Sequence, residues 1–230
     1  MKDAVMNTGW KLALTLGCVL GGMVLTGCES TPDTIDQTIA KLIDSNRSRP
    51  PEEVAASLFN TESPDARRAA IANLCYREWG FAEPYMKAYK TLATDPDPLV
   101  RAQAMRALGR SGKQEATEAL VTGLKDKNDW VRRDAAVALN KVPDPKATEP
   151  MLEQLASEPD DLTRAALALA LQNHRGPNVV RGLVVALEDR NAAVVYRAWS
   201  SLKIITQRED LPMEYDAWAK EYKTPATTQP

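Results

Sequence analysis

A pattern that returns every 31 to 34 residues constrains this sequence more than any other feature. Five segments share one register: Ala66-Arg67 with Ala70 and Leu74, Val100-Arg101 with Ala104 and Leu108, Val131-Arg132 with Ala135 and Leu139, Thr163-Arg164 with Leu167 and Leu171, and Val194-Val195 with Ala198 and Leu202. Their second residues, at 67, 101, 132, 164 and 195, are spaced by 34, 31, 32 and 31. A fixed period of this length signals one supersecondary unit used repeatedly, each copy unable to bury its apolar side without a neighbour.

Within each segment the apolar positions fall at i, i+4 and i+8, one stripe of a helix. Turn chemistry precedes every stripe: Ser63-Pro64-Asp65, Asp95 to Pro98, Asp126 to Asp129, Pro159-Asp160-Asp161 and Asp189-Arg190-Asn191. Side-chain oxygens there can accept the unpaired N–H groups of a first helical turn, and proline fits because it has no N–H to satisfy. A second apolar stripe follows. Leu108 leads to Leu124, Leu139 to Leu155 and Leu171 to Leu187, each 16 residues on, across short turns at Gly109 to Gly112, Val142 to Pro145 and His174 to Pro177. Aromatic residues make up 6% of the chain, with two Phe, which disfavours a β-sandwich or barrel. The expected fold is therefore all-α: an α-solenoid of about five helical hairpins with helical caps.

The N-terminus reads as an address. Lys2 and Lys11 precede an uncharged run from Leu12 to Cys28, which is short and glycine-containing for a permanent span and fits a cleaved export signal. Its end, Leu25-Thr26-Gly27-Cys28, resembles the lipobox of bacterial lipoproteins. That resemblance implies acylation of Cys28, which becomes the mature N-terminus and holds the chain on a bilayer, anchored without spanning. Cys18 is lost with the signal. Cys75 then has no partner cysteine, and its place in an apolar helical pattern marks it as a buried small hydrophobe.

The repeats resemble HEAT repeats of the short type also seen in phycobilin lyases, with an acidic turn followed by Val-Arg-x-x-Ala-x-x-x-Leu. The resemblance runs from about Ser63 to Thr206 and is nearest at Val100 to Leu124 and Val131 to Leu155. It implies a right-handed α-solenoid, and with the export pattern and the flanking stripes the divisions are a signal peptide over 1–27, a linker over 28–33, capping helices over 34–60, repeats over 61–206, a C-terminal cap over 207–223 and a disordered tail over 224–230. Around Tyr215 to Trp218 the chain resembles the closing segment of some HEAT-containing bacterial lipoproteins, where a Trp tucks under the last repeat.

Chemistry is sparse by comparison. One His and three Cys preclude a zinc finger or an ordinary zinc-hydrolase site, and no phosphate-binding glycine loop or nucleophile elbow is present. The expectation is no enzyme, no cofactor and no metal. A formal charge of −2 leaves no basic excess for nucleic acid. Arg67, Arg101, Arg132 and Arg164, with Asp65, Asp97, Asp129 and Asp161 nearby, are expected to form a structural ladder between repeats. Asp95/Asp97 and Asp160/Asp161 are expected to cap helices, and His174 to sit in a solvent-exposed turn. Trp130 occupies the slot of Leu99 and Leu162; packing is the favoured reading, an interface anchor the other.

By analogy with HEAT-like stacks, the second helices line the binding side, which would place Lys87, Lys125, Glu118, Glu153 and Arg181 near it. The expected role is a lipid-anchored scaffold or adaptor at the bacterial cell envelope, facing the periplasm, with protein partners. Two alternatives stand beside it: a bilin-lyase-like enzyme or enzyme partner, and a small-ligand or cell-wall-binding lipoprotein.

Overall fold

The computed structural model describes residues 51–222. The expected export signal with Cys28, the expected linker, the first part of the expected N-terminal cap and the expected tail lie outside the described residues. Among those described there are eleven α-helices and no strand, and no helix is long and apolar enough to cross a membrane.

We number the helices α1 (Pro51–Ser57), α2 (Pro64–Leu74), α3 (Tyr85–Leu92), α4 (Pro98–Ser111), α5 (Thr117–Gly123), α6 (Asp129–Lys141), α7 (Thr148–Ser157), α8 (Asp161–Ala170), α9 (Pro177–Val185), α10 (Ala192–Thr206) and α11 (Tyr215–Tyr222). The even-numbered helices α2 to α10 are the first members of five successive hairpins. Each begins at a side-chain cap: Ser63, Asp97, Asn128, Asp160 and Asn191 accept from main-chain N–H groups in the first turn of α2, α4, α6, α8 and α10. Such a cap is worth roughly 0.5–2 kcal/mol. At the other end of α4, Gly112 takes the left-handed conformation at φ 65° and turns the chain toward α5.

The stripes read from sequence form the core. Leu74, Leu108, Leu120, Leu124, Leu139, Leu171, Leu183 and Leu202 are all buried, in one cluster that runs through the hairpins in chain order. First helices pack on first helices: α4 on α6, α6 on α8, α8 on α10. Small residues permit the approach, since a Cβ on Gly109 would lie 2.5 Å from Cβ of Ala138. The second helices touch one another far less, so the stack is tighter along its first helices.

The ends differ from the middle for visible reasons. In the first hairpin a 3₁₀ turn over Glu78–Phe81 lengthens the connection. Gly80 there is pressed on the main chain, where a Cβ would meet the Leu74 carbonyl oxygen at 2.0 Å, and Tyr89 Oη donates to the Gly80 carbonyl at 3.0 Å. In the last hairpin, α11 packs against α9, the place that a second helix would take. The closing segment is thus the missing half of the fifth hairpin, with Trp218 fully buried beneath it.

Candidate functional site

Four arginines, each four residues past the helix cap, stitch neighbouring hairpins together. Nε and Nη2 of Arg67, Arg101, Arg132 and Arg164 donate in a two-pronged pair to Asp95, Asp126, Glu158 and Asp189 at 2.6 to 3.0 Å. Each of these carboxylates lies in the turn before the next first helix. Nη1 reaches back to the turn before its own helix, donating to the carbonyls of Asn60, Asp95, Asp126 and Glu158. Every arginine therefore ties two consecutive turns.

The carboxylates are not those that proximity in sequence suggested. Asp97 caps α4 through the amides of Leu99 and Val100. Asp129 makes a loose pair with Arg133, at 4.0 Å, and Asp161 accepts from the Asn191 side chain. A carboxylate inside the first turn points away from the arginine one turn later, whereas one two residues before the cap faces the preceding hairpin. There it also accepts the N–H of the cap residue, as Asp95 does from Asp97 and Glu158 from Asp160.

Burial would push the Asp126, Glu158 and Asp189 carboxyls up, but the arginine bonds and the main-chain N–H bonds outweigh it and hold all three below the ordinary carboxylate range. The unfolded chain then binds protons more readily than the native one, so stability falls with pH through that range. His174 works in the same direction at higher pH. It is 5% exposed rather than an open turn residue; its Nδ1 pairs with Thr148 Oγ1 at 2.7 Å, and its buried Nε2 has no partner. Burial lowers its pKa from 6.5 against the pull of Asp144. Melting temperature is expected to fall in two stages as pH drops: a first loss beginning near 6.5 that His174→Gln removes, and a steeper one below the unperturbed Glu value of 4.5. Thermal melts from neutral to acid pH check this; a profile flat to pH 4 for the wild-type chain would contradict it.

A second feature is the outward side of the first helices. Leu99, Trp130 and Leu162, at equivalent positions in α4, α6 and α8, are 40%, 52% and 51% exposed. The slot faces out, so Trp130 is not a core residue. Tyr76, Val137, Tyr196 and Ile204 on or beside the same row of helices are exposed as well. Large apolar side chains exposed side by side make a candidate interaction surface, and Leu99 and Trp130 border one common depression. Two adjoining depressions follow it. One, of about 430 Å³, is bordered by Arg68, Leu99, Gln103, Arg106 and Trp130. The other, of about 270 Å³, is bordered by Tyr76, Gln103, Arg106, Arg110, Asp134 and Lys141. Gln103 and Arg106 border both.

The second helices present no comparable apolar row. Lys87, Glu118, Glu153 and Arg181 are exposed on α3, α5, α7 and α9, and Lys125 just beyond α5, but they are scattered charges. The cleft between α7 and α9, about 540 Å³, is lined by Leu152, Leu155 and Val185, and by Glu158, Arg164 and Asp189, which the ladder already engages. Cys75 is 1% exposed and burial pushes its thiol pKa up, the opposite of an activated nucleophile. Among the described residues no group of three or more His, Cys, Asp or Glu could hold a metal ion.

Stacked hairpins joined by an arginine ladder define an α-solenoid repeat protein. The family model described as HEAT repeats matches residues 51–140 and again 86–172, and the chain belongs to the HEAT-repeat family. No curated protein sequence matches it significantly. Among solved structures, it is similar to the complex of CpcE and CpcF of phycocyanin lyase from Nostoc sp. PCC7120, with 19% identity, a TM-score of 0.60, and 82% of this chain and 71% of that chain covered. It is also similar to an engineered protein, at 18% identity and a TM-score of 0.52, covering 78% of this chain and 93% of that one. At these identities the likeness is one of fold.

Proposed function

We propose that the chain is a HEAT-repeat scaffold, tethered to a bacterial envelope membrane through a lipid on Cys28 and facing the periplasm, that holds a partner protein on the outward side of its first helices. The exposed row of Leu99, Trp130 and Leu162 carries the reading: three large apolar side chains, held at near-equal intervals by the fold's own period, with Arg68, Gln103 and Arg106 beside the first two. Family membership supports protein interaction as the general role, and the Leu25-Thr26-Gly27-Cys28 ending supports the tether. Large aromatic side chains near the centre of such a surface carry a disproportionate share of binding energy, about 2 kcal/mol or more on truncation.

In-cell crosslinking followed by purification from membranes tests both parts. The wild-type chain is expected in the membrane fraction with one reproducible partner. Trp130→Ala should keep the membrane location and lose the partner, and Cys28→Ala should leave the membrane. A Trp130→Ala chain that retains every crosslinked species at wild-type yield would overturn the interaction face; normal acylation of Cys28→Ala would overturn the tether.

Likeness to a lyase complex favours a second reading, in which the chain serves as one part of a cofactor-attaching enzyme. Incubation with a bilin decides it. The buried Cys75 thiol is expected to remain unmodified, and covalent attachment or transfer of the chromophore would establish the lyase reading.

A further inference from the structure

The charge on the first-helix face runs against that of the molecule. The described residues hold 23 Lys and Arg against 26 Asp and Glu. Around the two depressions, however, Arg68, Arg106, Arg110 and Lys141 face only Asp65 and Asp134. Both acids are already engaged, Asp65 by Arg68 and Asp134 by Arg106 at 2.8 Å. Arg110 and Lys141 have no carboxylate partner among the described residues. The Arg110 guanidinium is held in place, its carbon 4.1 Å from the Tyr76 ring centroid and its Nε bonded to the Cys75 carbonyl at 3.0 Å, which fixes the fork while leaving the Nη groups for another acceptor.

Resting on the scaffold reading, we infer that the groove takes an acidic segment of a partner protein, with apolar side chains seated between Leu99 and Trp130 and carboxylates on Arg110 and Lys141. The two ends of the site are set by the helices themselves. Trp130 is in the first turn of α6 and Lys141 is its last residue, eleven positions apart, or roughly 16 Å at 1.5 Å per residue. An occupant therefore carries its apolar and acidic groups about three helical turns apart, or about five residues apart if extended. Electrostatic complementarity over a surface of opposite sign to the whole chain sets partner choice more than it adds raw affinity. A nucleic acid would have to approach a net-acidic molecule, and a bilayer is told apart by the vesicles below.

The test is selection of a random peptide display library, about 12 residues long to match that span, against the detergent-solubilised full chain. Enriched peptides are expected to be acidic and apolar, to weaken about tenfold on Lys141→Glu, further on Arg110→Glu/Lys141→Glu, and about tenfold or more on Trp130→Ala, with affinity falling as salt is raised. Lys141 makes no contact that the fold depends on, so its single variant stays folded even where loss of the Arg110 bond does not leave the double variant intact. Enriched peptides of neutral or basic charge that need Trp130 but ignore Lys141→Glu would overturn the acidic class and leave the scaffold reading standing. Peptides held equally by Trp130→Ala would overturn the face itself. Should vesicles of phosphatidylglycerol and phosphatidylethanolamine bind in a Trp130-dependent way while no peptide is enriched, the occupant is a membrane and the inference fails.

Discussion

Arg132→Ala is expected to destabilise the stack by about 3 to 5 kcal/mol, the range seen when one member of a buried ion pair is removed. The Glu158 side chain is 0% exposed and that of Arg132 12%. Without the guanidinium, a carboxylate stays buried with only Gln154 Nε2 at 2.6 Å and the Asp160 amide at 3.0 Å as donors. The Asp126 carbonyl loses a partner in the same step, so two adjoining turns loosen together. Exposed pairs such as Arg208 with Asp210 should matter far less, because water screens them. Urea or thermal unfolding measures the difference. Replacing both partners, Arg132→Met with Glu158→Leu, should recover most of the loss, because no unpaired charge is then buried. A single variant that loses under about 1 kcal/mol would mean that the ladder is not what joins the hairpins, and one that also lost partner binding would place Arg132 in the interaction site instead.

The hairpins were legible in the sequence because periodicity is global: Leu108, Leu139 and Leu171 recur whatever their local surroundings, and all three are buried. The arginines were legible for the same reason. Their partners were not, because the pairing crosses from one hairpin to the next over 25 to 28 residues, whereas Asp97 and Asp129 sit closer in sequence and look more natural. A subtler regularity would have found them. Two residues before the caps Asp97, Asn128, Asp160 and Asn191 stand Asp95, Asp126, Glu158 and Asp189, while two before Ser63 stands Thr61; the arginine slot fails in the last hairpin, where Val195 replaces it. The carboxylate and the arginine thus drop out at opposite ends, as a ladder of finite length requires. Trp130 misled for a geometric reason. Apolar residues at a regular spacing look like core, but Leu99, Trp130 and Leu162 each fall one residue before the buried position, at Val100, Val131 and Thr163, and one residue on a helix is a rotation of about 100°. His174 misled because the residue that covers it, Thr148, comes from the preceding hairpin. In both cases the sequence holds the position and the fold holds the orientation.

Trp218→Ala is expected to cost about 3 to 5 kcal/mol, as removal of a large aromatic from a packed interior does, and to do so locally. Trp218 is 0% exposed, donates through Nε1 to the Pro212 carbonyl at 2.6 Å and stacks on Tyr222 with centroids 5.9 Å apart. Trp199 donates in the same way to the Leu211 carbonyl at 3.1 Å, so two indole N–H groups hold the segment that carries α11 across α9. In a stack whose stability is approximately a sum of unit and nearest-neighbour terms, losing the end seal unzips the end first. Amide exchange should therefore accelerate over α9, α10 and α11 while α4 and α6 keep most of their protection. Trp218→Phe, which keeps much of the apolar area and loses the hydrogen bond, should fall between. Equal acceleration along every helix would show instead that the described residues unfold as one cooperative block, in which case the closing hairpin is as much a part of the core as Leu108 and Leu139.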